Sequence, residues 1–296
     1  MRNKEESMKT IEISDLNELF YTVRTLNEDN RYWFRGHSDV AYILNPSAFR
    51  KLYIIADQYG RPVKPRLLEF YDNSGDQIFL PDKVYLNSFF DKMEEEKIEY
   101  DKSLNLIDKY CFAQHYGVWT PMLDWTTDLS VALFFACDGR YEENACAIFL
   151  LDPKKWNEDF TGEHRVFTSD EVIKRSGLFP LAMHGKKSEK RICRQSGNFT
   201  VHGTMVWPLE KYTREDEDTL IKIIIPSGVA RELNLYLDAF GINSKSIYVE
   251  KDQKDDLSKK LKMINETTLN KILNDKLKEW ENTPDKDKGI SRQHFY

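Results

Sequence analysis

The chain has 296 residues, 41% of them hydrophobic, 13% aromatic and 31% charged, which is too apolar for a disordered polymer and long enough to bury a sizeable core. Its formal charge of −6 excludes a whole-protein basic footprint for nucleic acid and leaves at most a local basic groove. No apolar run reaches 18 residues and the opening MRNKEESMKT lacks the apolar stretch of a signal peptide, so the expectation is a cytoplasmic protein with no membrane partner.

Residues 9–27 open with alternation at Ile11 and Ile13 and then turn to helical spacing at Leu16, Leu19, Phe20 and Val23, with Ser14 or Asp15 as N-cap. Arg31 to Gly36 reads as a buried strand that carries Arg35 to its end, followed by a loop that Pro46 interrupts. Between about 60 and 110, Leu67, Leu68 and Phe70, then Phe89, Phe90 and Met93, predict two helices, and the charged run Asp91 to Lys102 reads as a solvated helix face. Thr126, Thr127 and Asp128 supply capping side chains in front of an apolar helix, Leu129 to Ala136. Ala145 to Leu151 is a continuous apolar run ended by Asp152-Pro153, the pattern of a central strand.

Two more strands follow, Gly197 to Val206 and Leu220 to Ile225, the second closed by Pro226. Ala230 to Phe240 is helical in spacing with Gly241 at its C-terminal cap, and residues 251–283 are charged with sparse apolar positions, a peripheral helix or helix pair. Cys111, Cys137, Cys146 and Cys193 stand far apart without a C-x-x-C pair and read as reduced core thiols. With no internal repeat or low-complexity linker, the economical architecture is one α+β unit, a mixed or antiparallel central sheet flanked by helices.

The chemistry concentrates in Ala113 to Cys137, where Gln114, His115, Tyr116, Gly117, Asp124, Trp125 and Thr126 sit inside an apolar framework. Arg35, at a strand end, offers a rigid donor fork for phosphate or carboxylate; the plain alternative is that it pairs with Asp124 as a structural ion pair. His115 and Tyr116 bring an imidazole and a phenol beside Gly117, which admits close approach of a ligand. Tyr116, Trp119 and Trp125 offer faces for an aromatic ligand, or are ordinary core aromatics. Downstream, Glu189, Arg191, Arg194 and Gln195 precede a strand, with Glu189 as a general base or cation stabiliser and Gln195 as an orienting amide. No glycine-rich phosphate loop and no metal-ligand spacing occurs, so no stoichiometric metal is expected.

Trp33-Phe34-Arg35-Gly36-His37, Pro46-Ser47-Ala48-Phe49-Arg50, Gln114-His115-Tyr116-Gly117 with Thr120, Leu123-Asp124-Trp125-Thr126 and Ala132-Leu133-Phe134-Phe135-Ala136 follow one another in the order of a known family. The chain resembles the FRG domain, named for its Phe-Arg-Gly signature, over residues 30–138. On that basis 139–250 is expected to complete the sheet of the same globular unit, and 251–296 to form a charged helical extension. The resemblance implies a protein of bacterial accessory or defence type.

The order of Arg35, then Asp124-Trp125-Thr126 before a helix, then Glu189 near a later strand is similar in layout to ADP-ribosyltransferase folds around NAD. That likeness implies an NAD-dependent ADP-ribosyltransferase or NAD-cleaving enzyme with a protein or nucleic-acid acceptor. Arg35, Gly36, Tyr116, Gly117, Trp125 and Thr126 would then line the NAD site, and Arg35, His115, Tyr116, Asp124, Glu189 and Gln195 would carry the chemistry. The alternatives are a non-catalytic nucleotide or nucleic-acid recognition module using Arg35, Arg191 and Arg194, and a metal-dependent nuclease built from Asp124, Glu189 and Lys190.

Overall fold

The computed structural model describes residues 8–50, 55–57, 62–63, 78–79, 82–114, 116–175, 177, 179–185, 197–203, 207–214, 216–248 and helical positions between 259 and 282. A seven-stranded sheet organises them. Its strands are β1 (Lys9–Glu12), β2 (Trp33–His37), β6 (Met122–Thr126), β7 (Cys146–Leu151), β8 (Leu181–His184), β9 (Gly197–Val201) and β10 (Leu220–Ile225), in the spatial order β1-β10-β7-β2-β6-β9-β8. Among the described residues β1 and β10 are the one parallel pair of strands, so the sheet is mixed, and the α+β architecture expected from the pattern is present. A small second sheet joins β3 (Ile55–Asp57), β4 (Pro62–Val63) and β5 (Ile78–Phe79).

Burial explains the order. All six residues of β7 are buried, as its unbroken apolar run requires of a strand covered on both faces. One face of the sheet presents Phe34, Ile148, Leu150, Ile221, Ile223 and Ile225 to three helices: α1 (Leu16–Leu26), α5 (Leu129–Cys137) and α8 (Ser227–Ala239). The other face presents Trp33, Leu123, Trp125, Phe149 and Leu151 to Trp156 of α6 (Pro153–Thr161) and to Leu44 and Leu209. Beyond β6, helices α3 (Asp82–Glu95), α4 (Leu106–Gln114) and α7 (Ser169–Lys174) pack on Met122, Met183, Phe199 and Val201. Each large aliphatic or aromatic side chain buried in these layers contributes about 1.5–3 kcal/mol of transfer free energy.

The caps sit where polar side chains were available. Asp15 is the N-cap of α1, accepting from Glu18 N at 2.9 Å, and Asp128 is the N-cap of α5, accepting from Ser130 N at 2.8 Å. Asp152-Pro153 both ends β7 and starts α6: the Asp152 carboxylate accepts from Lys154 N and Lys155 N, and Pro153 occupies the first turn.

Two sequence expectations are corrected, and elements the pattern did not announce appear. The charged run after Asp91 is helical only to Glu95, since Lys97 takes a positive φ of 56° and ends the helix. The helices α6 and α7 and the strand β8, none of them anticipated, occupy 153–184. The strand from Gly197 ends at Val201, and the helix expected around Leu67 lies outside the described residues. Among the described residues no helix is long and apolar enough to cross a membrane.

A polar relay between the central strands

Strands β2 and β6 meet only at Phe34 opposite Thr126, although each is fully paired on its other side. In the gap beyond that pair the Arg35 side chain takes over. Its Nη1 donates to the Asp124 backbone carbonyl at 2.6 Å, with the Asp124 carboxylate 3.9 Å away. A charge-assisted bond from a side chain thus replaces a ladder bond. Arg35 Nε donates to His37 Nε2 at 3.1 Å, and the other ring nitrogen of His37 stands 3.3 Å from the Tyr42 carbonyl. With Nε2 accepting, the imidazole is neutral and its proton sits on Nδ1, the only arrangement that satisfies both contacts.

On the far side of Asp124 the relay continues into α4. Gln114 Nε2 donates to Asp124 Oδ1 at 2.7 Å, and the Gln114 Oε1 accepts from the Thr120 hydroxyl. Because a carboxylate only accepts, the Gln114 NH₂ must face Asp124, which leaves its Oε1 to accept from the Thr120 hydroxyl. Thr120 is fully buried; its backbone N–H donates to Ser47 Oγ at 3.1 Å, and its carbonyl accepts from Ala48 N at 3.2 Å. The six residues Ser47, Thr120, Gln114, Asp124, Arg35 and His37 therefore form one connected chain.

Only one member opens widely to solvent. The Asp124 side chain is 62% exposed, against 15% for Arg35. Half-buried Gln114 holds the carboxylate itself and half-buried Arg35 the backbone carbonyl of the same residue, so one exposed carboxylate is positioned with less reorganisation left when charge develops next to it.

The other expected site residues divide. Gly36 has a packing role: a Cβ there would stand 2.0 Å from Ala132 O and 2.5 Å from Ala136 N, so its lack of a side chain lets α5 lie directly on β2. Trp125 sits in the core, 2% exposed, with its indole N–H donating to Thr200 Oγ1 at 3.0 Å. Tyr116 is partly buried, stacked on Phe89 at 6.1 Å and tilted on Phe112 at 5.2 Å. Gly117 has a φ of 81° in the turn that ends α4, where Val118 N reaches back to Ala113 O, which is reason enough for glycine. Thr126 is buried and its hydroxyl accepts from Asp128 N at 3.0 Å, holding the turn into α5.

His115, Glu189 and Gln195, with Lys190, Arg191 and Arg194, lie outside the described residues. Arg35 and Asp124 are brought together as the plain structural reading anticipated. Gln114 was noted among the polar residues of its segment but given no role, and Thr120, Ser47 and His37 were not picked out as site residues; the signal that could have found them was their position inside the same motif blocks as Arg35 and Asp124.

A separate cleft of about 390 Å³ opens at the opposite end of β2, lined by Arg31, Asp152, Lys155, Asp159, His164, Glu217, Asp218 and Thr219. Its charges are largely spent on one another, Lys155 on Asp159 at 2.6 Å and Asp218 on Lys9 at 2.5 Å. It shares no residue with the relay. Among the described residues no group of three or more His, Cys, Asp or Glu side chains gathers to hold a metal ion.

The FRG domain family model matches residues 30–145, ending one residue before β7 and containing all six members of the relay. No curated protein and no solved structure matches the chain.

Proposed function

Because the chain carries an FRG domain with this relay inside it, we propose that it is an NAD-consuming enzyme, of ADP-ribosyltransferase or NAD-cleaving type, with the Asp124 carboxylate at the reacting end. One observation carries the reading: an exposed carboxylate is fixed from behind by Gln114 and Arg35. When the bond between the ribose C1′ and the nicotinamide nitrogen breaks, the electron pair leaves with nicotinamide and the ribose becomes cationic. A preset carboxylate stabilises that cation in the transition state more than in bound NAD. Water, or a nucleophile on a protein or nucleic-acid acceptor, then bonds to C1′ and gives up its proton.

Within this proposal Arg35 is a positioning residue, since its donors are directed to the Asp124 carbonyl and to His37. Recognition of the NAD pyrophosphate is assigned to Arg191 and Arg194. Glu189 is assigned the role of a second carboxylate toward the ribose and Gln195 that of orienting a hydroxyl or amide. Nicotinamide stacking is assigned to Tyr116, which is only partly buried, rather than to Trp125, whose ring the core covers.

The roles separate in a turnover assay that measures released nicotinamide alongside NAD affinity. Arg35→Lys keeps the charge and loses the fork, so turnover is expected to drop about tenfold or more with NAD affinity nearly unchanged. Loss of affinity in place of turnover would make Arg35 a ligand clamp and reject its positioning role. Glu189→Gln is expected to lower turnover in the same way, and full activity in that variant would remove Glu189 from the reaction. Steeply salt-dependent binding of single-stranded nucleic acid, with no nicotinamide released, would replace the enzyme by a recognition module.

A further inference from the structure

Residues 38–45 follow β2, and their backbone is fixed at nearly every step. Asp39 Oδ1 accepts from Ala41 N at 2.8 Å and its Oδ2 from Asn144 Nδ2 at 2.9 Å. Val40 N donates to the Ala145 carbonyl at 3.0 Å, and the Val40 carbonyl accepts from Lys222 Nζ at 2.6 Å. Tyr42 N donates to the Asp39 carbonyl at 3.1 Å, while the Tyr42 carbonyl stands 3.3 Å from His37 Nδ1. Buried Leu44 donates its N–H to Glu210 Oε1 at 2.8 Å. Two charged side chains thus hold this turn although burial opposes the charge on each, pushing the Glu210 carboxyl up and the Lys222 ammonium down.

On that fixed backbone two large apolar side chains face outward, Tyr42 at 54% and Ile43 at 49% exposure. A lone exposed aromatic on a loop needs no explanation. Tyr42 differs in its setting. Among the described residues its ring has one ring contact, an edge-on meeting with His37 at 6.2 Å. His37 is the end of the relay, joined to Arg35 at 3.1 Å, and Arg35 stands 3.9 Å from the Asp124 carboxylate.

We propose that Tyr42 is the adenine platform of the dinucleotide site, with the purine stacked on its ring beside Ile43 and the ribosyl carbon at the other end of NAD held at Asp124. The inference rests on the NAD-consuming reading of the relay and adds the residue that recognises the half of the substrate that does not react. Nicotinamide is bonded directly to the reacting carbon and so stays beside Asp124; the ring set apart from Asp124 by Arg35 and His37 is left to the adenine. A base stacks on such a ring with little ordering left to do, because the backbone beneath it is set before the ligand arrives. The contact is the same in bound NAD and in the transition state, so Tyr42 governs affinity while Asp124 governs rate.

The test is calorimetric titration with ADP, which carries the adenine and lacks the bond to nicotinamide. The wild type is expected to bind ADP saturably, Tyr42→Ala about tenfold more weakly, and Tyr42→Phe within about threefold of the wild type, since the ring makes the stack and the hydroxyl does not. Nicotinamide mononucleotide, which has no adenine, is expected to bind the wild type and Tyr42→Ala alike, which also shows that the variant is folded. The proposal is overturned if Tyr42→Ala binds ADP as the wild type does, if it weakens both ligands equally, or if the wild type binds no ADP. Nicotinamide release, measured separately, tells the two readings apart. Tyr42-dependent ADP binding in a protein that releases none keeps the platform and removes the enzyme, whereas release with Tyr42-independent ADP binding keeps the enzyme and removes the platform.

Discussion

At the scale of single residues, the relay and its neighbour His202 show what burial does to polar groups in this chain. His202 is 5% exposed just past β9; its backbone N–H donates to Pro121 O at 2.8 Å and its Nε2 donates to the Trp207 carbonyl at 3.0 Å. Burial pushes its imidazole from an ordinary 6.5 down to about 3, against the opposing pull of that carbonyl. The sign follows from proton counting. As pH falls from 6.5 toward 3 the unfolded chain takes up a proton that the folded chain refuses, so stability falls with pH through that window. The slope is up to about 1.4 kcal/mol per pH unit. Urea denaturation across this range should show that limb in the wild type and a flattened one in His202→Gln; equal slopes would assign the acid sensitivity elsewhere. Residue-level roles were only half legible beforehand. Arg35 and Asp124 were, because an arginine inside an aromatic run needs a partner, but Gln114 and Thr120 acquire their meaning only when α4 and β6 bring them together.

At the scale of elements, the unbroken or alternating apolar runs were readable, and the rest was decided by contacts distant in sequence. The strands β7 and β10 and the helices α1, α5 and α8 announced themselves by periodicity and caps. The strand β8 did not: Leu181 to His184 is four residues long and is a strand because it pairs with β9. Gly36 was legible as important, but its packing against α5 was not. Its role belongs to the contact between two elements, since an added Cβ would meet backbone atoms of α5 that cannot rotate away. Gly36→Ala should therefore cost about 3 kcal/mol through overpacking, measured as a lowered denaturation midpoint. A midpoint within error of the wild type would mean that α5 is free to shift on β2.

At the scale of the whole molecule, the sheet is assembled from both sides of the family boundary. Residues 30–145 contribute β2 and β6, adjacent at the centre, while their outer partners β7 and β9 come from later in the chain. Cut at 145, the matched segment would expose both outer edges of that strand pair and leave Trp33, Phe34 and Trp125 without most of their cover. A fragment of residues 30–145 is expected to lack a cooperative unfolding transition by circular dichroism, whereas the full chain should have one. A cooperative transition in the fragment would show that the family segment folds by itself.

The central claim is that Asp124, held facing solvent by half-buried Gln114 and Arg35, stabilises a ribosyl cation. Its most direct test is calorimetric titration of NAD into the wild type and Asp124→Asn, with released nicotinamide quantified in the same samples. The account predicts saturable binding to both, within about threefold, and nicotinamide from the wild type alone, since a neutral amide of the same shape keeps the ground-state contacts and loses the charge. Equal nicotinamide release from the two proteins, or no saturable binding to the wild type, would contradict it.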